Sequence, residues 1–161
     1  MTATTSTIPA FKRALKARLA ADPALAGIQV FRADPFPDEP AEERIAIGRA
    51  RPDDPFRTSS FGAGQTSATT RRDREERYVV EVVVQVVVAK QNSAEAIEER
   101  AYEISALIEA SIHAWGSEVP HFDGIVRMAQ VSTTEDWQGL GEHTREARVT
   151  LGIAAAQRIG L

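Results

Sequence analysis

The chain has 161 residues, a hydrophobic share of 43%, no cysteine and a formal net charge of −4. That length and apolar content support one buried core and argue against two independent domains. The absence of thiols excludes a disulfide framework and any cysteine-based zinc site, and the acidic balance gives no whole-protein drive toward nucleic acid.

Residues Met1 to Ala21 are rich in Ser and Thr, basic through Lys12, Arg13, Lys16 and Arg18, and free of acids. Organelle transit peptides share that composition, but the segment also reads as an ordinary first helix. Ser6 or Thr7 caps it, and Pro9 sits in the first turn, where a missing N–H goes unnoticed. Ile8, Phe11, Leu15 and Leu19 mark one apolar stripe, and Asp22-Pro23 ends the helix. Ile28 to Phe31 predicts a short strand, Asp34 to Pro40 is too rich in proline for regular structure, and Arg44 to Gly48 is a second strand.

From residue 49 to about 72 the composition turns to Pro, Gly, Ser, Thr and Ala, which predicts a long loop. It either orders against a partner or forms a mobile hairpin tip. Arg71 to Arg77 mixes four arginines with three acids, a pattern that reads as a solvated strand entrance rather than a phosphate site.

The stretch Arg77 to Lys90 predicts a central strand of unusual length. Tyr78, Val80, Val82, Val84, Val86 and Val88 fall on one face; Val79, Glu81, Val83, Gln85, Val87 and Ala89 fall on the other. At about 3.3 Å per residue it reaches roughly 45 Å, so it is expected to bend, bulge or run past its sheet. It is too short, and too polar at Glu81 and Gln85, to cross a membrane as a helix, and a soluble protein is expected. The flanking charges and Lys90 guard an otherwise aggregation-prone run.

Asn92 or Ser93 caps a second helix, with Glu95 in its first turn. Ile97, Ala101, Ile104, Ile108, Ile112 and Trp115 recur at helical spacing, Glu98, Glu99, Arg100 and Glu103 form the wet side, and Gly116 is expected to stop it. This stripe is long enough to cover the apolar face of the central strand. Ile125 to Thr133 and Thr144 to Ala156 predict a strand hairpin, with Trp137 and Leu140 at a glycine-containing tip that either folds back on the domain or anchors a partner.

The residues offer little catalytic chemistry. His121-Phe122-Asp123 with Glu142-His143 is the one arrangement that could suggest a metal, and it lacks helix-borne ligand spacing. Gly62-Ala63-Gly64 has no following Lys-Ser/Thr to cradle phosphates, and no Gly-x-Ser-x-Gly elbow occurs. No catalytic residue, cofactor or metal is assigned, and an enzyme with a pocket between helix and sheet is the weaker alternative.

The predicted fold is α+β: a mainly antiparallel, possibly mixed sheet of four to five strands with two helices on one face. Its order, with Ile8-Pro9-Ala10-Phe11 opening the first helix, Leu25 to Val30 leading into the first strand, Arg74 to Val82 entering the long one and Arg145 to Leu151 in the last, resembles the tail terminator (tail completion) proteins of long-tailed bacteriophages, the group that includes the lambda minor tail protein U type. The likeness spans nearly the whole chain, residues 1–161, as one domain. It implies a subunit that forms a ring, usually a hexamer, at the head-proximal end of the tail tube. There it ends tube polymerisation and joins tail to head. The partners implied are further copies of itself, the tail tube protein and the neck connector, with DNA passing through the lumen unbound. The place implied is the virion, after assembly in the host bacterial cytoplasm.

A closing ring needs a heterologous interface. The candidate material is Phe56, Arg57 and Phe61 in the long loop, Glu81 and Gln85 on the second face of the central strand, and Trp137 and Leu140. That second face is covered either by a neighbouring subunit or by other strands of the same chain. A neck, head-completion or tail-tube subunit is the nearest alternative. A small-molecule-binding or enzymatic α+β domain is the alternative of a different class.

Overall fold

The valine-rich run forms the middle of the sheet. In the computed structural model, which describes residues 6–32, 37–52 and 73–160, the elements are α1 (Ile8–Ala21), β1 (Gln29–Arg32), β2 (Glu43–Pro52), β3 (Asp73–Ala89), α2 (Ala94–Ser117), β4 (Met128–Leu140) and β5 (Thr144–Gly160). Short 3-10 turns, Pro23–Leu25 and His121–Gly124, follow the helices. The strands form one five-stranded sheet in the order β1-β2-β3-β5-β4, antiparallel at every pair except β1 with β2. The fold is α+β, with both helices on one face of the sheet.

β3 is longer than the alternation alone marks. It starts at Asp73, so most of the Arg71 to Arg77 charge run lies within the strand. It does not run past its sheet: β5 matches it residue for residue, from Asp73 opposite Gly160 to Ala89 opposite Thr144. The irregularity falls on its other neighbour, where β2 shifts register between Ile47 and Ala50. A bulge there accommodates the twist that a long antiparallel pair accumulates. β2 also runs on to Pro52, so the first residues of the expected loop are strand. The rest of that loop, with Phe56, Arg57 and Phe61, lies outside the described residues.

The even-numbered face of β3 builds the core. Tyr78, Val80, Val82, Val84 and Val86 are buried beneath Phe11, Leu15 and Leu19 of α1 and Ile97, Ala101, Ile104, Ile108, Ile112 and Trp115 of α2. Each fully buried Val, Leu or Ile contributes about 1.5–3 kcal/mol of transfer free energy. α1 lies over β1 and β2, and α2 lies over β3, β5 and β4. Aromatic rings join the two layers. Phe11 stacks on Trp115 at 5.8 Å between centroids and meets Tyr78 edge-on at 6.0 Å, and Trp115 meets Phe122 edge-on at 5.3 Å.

The end of α2 differs from expectation. Gly116 does not stop the helix, which continues to Ser117. Its lack of a side chain serves packing instead, because a Cβ there would lie 2.7 Å from Cζ of Phe122. Phe122 and Asp123 take left-handed backbone angles, φ 48° and 54°, which cost non-glycine residues free energy. The buried Phe122 ring and a hydrogen bond from Trp115 Nε1 to Asp123 Oδ2 at 3.1 Å hold them there.

The helix starts are capped in two ways. Ser93 caps α2 as expected, its Oγ accepting from the Ala96 N–H at 3.3 Å. Thr7 occupies the N-cap position of α1, yet its side chain makes no capping bond. The acceptor comes from β3: the Glu76 carboxylate takes hydrogen bonds from the Thr7 N–H and Thr7 Oγ1, both at 2.8 Å, and from Ser6 Oγ. Glu76 is 5% exposed, which overturns the reading of this charge run as wholly solvated. Among the described residues, no helix is long and apolar enough to cross a membrane.

Candidate functional site

The odd-numbered face of β3 has no helix over it among the described residues, and the candidate site lies there. Strand register sets the arrangement, because residues opposite one another in neighbouring strands point the same way. Gln29, Arg44, Gln85, Arg148 and Trp137 are cross-strand partners in turn, one from each strand, and make a single polar rank across the sheet.

The rank is tied by hydrogen bonds. Arg44 Nε donates to Gln85 Oε1 at 2.9 Å, and Gln85 Nε2 donates to Glu146 Oε1 at 3.1 Å. Arg148 donates to the same Glu146 oxygen through Nε at 3.2 Å and through its terminal nitrogen at 2.9 Å. The Arg148 guanidinium lies 5.1 Å from the centroid of the Trp137 ring, a cation–π contact. Gln29 closes the other end, accepting from the Ala41 N–H at 2.9 Å.

Beside this rank the face is apolar and built mainly of small residues, with the buried Phe31 opposite Ala46. Ala46, Val79 and Ala154 are buried, Val83 and Val87 are half-buried, and Gly152 lies under its neighbours. A Cβ on Gly152 would fall 2.2 Å from Thr133 Oγ1 and 3.0 Å from Val79 Cγ1. The glycine therefore lets β4 and β3 side chains close over β5.

The sequence candidates scatter in instructive ways. Glu81 and Gln85 both occupy the helix-free face, half-buried, and Gln85 sits at the centre of the polar rank. Trp137 and Leu140 are strand residues of β4 rather than turn residues; Gly141 to His143 make the connection to β5. Trp137 does not project as a free anchor. Its indole lies along the strand over Gly139, where a Cβ would meet Cη2 at 2.1 Å, and it remains 52% exposed. Leu140 is 62% exposed.

Arg44, Glu146 and Arg148 complete the rank and were missed. For Glu146 and Arg148 the signal is the alternation of β5, where Glu146, Arg148 and Thr150 oppose Ala147, Val149 and Leu151, and for Arg44 of β2, as for them, only the register shows which strand they face. The histidine groups lie far apart, His121 bonded through Nδ1 to the Gly116 carbonyl at 2.7 Å near the start of β4, and His143 just past its end. No cluster of three metal-ligating side chains occurs among the described residues.

Comparison with known proteins adds little to this geometry. No family model matches the chain, and no curated protein matches it. One solved structure aligns over 94% of this chain and 96% of its own, at 15% identity and a TM-score of 0.41, a likeness too slight to carry an argument.

Proposed function

We propose that this chain is a structural subunit of a bacteriophage tail terminator: a ring, hexameric in the family it resembles, that caps the head-proximal end of the tail tube and joins it to the neck. The tail role rests on the sequence resemblance. The observation that supports a role in assembly is the helix-free sheet face, where half-buried Val83 and Val87 flank a hydrogen-bonded polar rank that ends at an exposed tryptophan. Mixed apolar and polar surface of this kind suits a protein partner, since interfaces combine an apolar centre with paired polar groups. Tryptophan and arginine are among the side chains that contribute most to such contacts once covered.

The experiment is electron microscopy of particles produced without the gene. Overlong tubes lacking heads are the expected result. Tails of normal length joined to heads would refute the reading. Absence of tubes altogether would instead identify a tube subunit, and tubes of normal length without heads would identify a neck subunit.

A further inference from the structure

We draw no further inference here: the strongest candidate, the open groove along the solvent side of α2 lined by Glu95, Glu98, Glu99, Tyr102 and Glu103, is a cluster of acidic side chains around one tyrosine, and no second feature among the described residues points to a ligand there.

Discussion

Replacing Glu76 by alanine removes the acceptor on which the start of α1 depends. The carboxylate is 5% exposed and receives the Thr7 N–H and hydroxyl at 2.8 Å each, with the Ser6 hydroxyl as third donor. A hydrogen bond to a charged group contributes about 1.5–3 kcal/mol, and loss of a helix cap costs about 0.5–2 kcal/mol. The bonds share one acceptor and do not add, and water can replace the part-buried Ser6 contact, so the expected loss is about 3 kcal/mol. At about 2–4 °C per kcal/mol for a chain of this size, the melting temperature falls by about 6–12 °C.

Glu76→Gln keeps one oxygen but turns an amide donor toward donors, and it is expected to lose about half as much. Amide hydrogen exchange localises the effect: α1 opens faster in Glu76→Ala, while the β3/β5 ladder changes only by the global difference. A melting temperature within about 2 °C of the parent would show that Thr7 finds another acceptor and that the cap reasoning is wrong.

Two further substitutions test the core and the side-chain tie between α2 and β2. Val84→Asp places an unpaired carboxylate where the parent side chain has no exposure, and a loss of at least about 4 kcal/mol is expected from denaturant unfolding; a near-parental midpoint would put that face outside the core. Arg100 of α2 grips Glu43 of β2 with two bonds, Nε to Oε1 at 2.8 Å and a terminal nitrogen to Oε2 at 2.9 Å. The Arg100 hydrogen bonds hold the Glu43 carboxyl below its usual range, against opposition from partial burial. A carboxyl with a depressed folded pKa gives stability that is present above its unfolded pKa and lost as pH falls through the folded one. Because both side chains are about a third exposed, solvent limits the pair to about 0.5–1 kcal/mol. Glu43→Gln should therefore melt slightly below the parent at neutral pH and match it once the pH lies below the depressed value. A gap that is unchanged in acid would refute the assignment.

The parts of the fold visible in the sequence were those written in one local period. Alternation in β3 placed Tyr78 to Val86 in the core, and the helical spacing of Ile97 to Trp115 identified their cover, with no tertiary information needed. Three features were hidden because a local rule had a tertiary exception. Gly116 looks like a helix stop, but its missing side chain makes room for the Phe122 ring five residues beyond the end of α2. Gly139 and Gly141 look like one turn around Trp137 and Leu140, whereas Gly139 is strand backbone lying beneath the indole. Glu76 belongs to a run of mixed charge that any composition rule sends to solvent, yet its partner Thr7 is 69 positions away. For the candidate site the sequence supplied Glu81, Gln85 and Trp137, while Arg44, Glu146 and Arg148 needed strand register, which alternation cannot give.

The polar rank also explains how so valine-rich a strand can keep a helix-free face. Along β3 that face reads Val79, Glu81, Val83, Gln85 and Val87, so no two valines on it are consecutive partners along the strand. Cross-strand neighbours reinforce the interruption: Val83 faces Ala46 and Thr150, and Val87 faces Glu146. Each apolar group is thereby bounded along the strand, across it or in both directions by something polar or small, which limits contiguous apolar surface and opposes stacking against unrelated sheets. Gln85 does this without leaving its amide unpaired, because Arg44 and Glu146 satisfy its oxygen and nitrogen. An apolar residue there would join Val83 to Val87 and leave Arg44 and Glu146 to find other partners. Under the assembly role proposed above, the same arrangement offers fixed donors and acceptors to a partner laid on this face, since groups already held in a hydrogen-bonded row lose little freedom on binding.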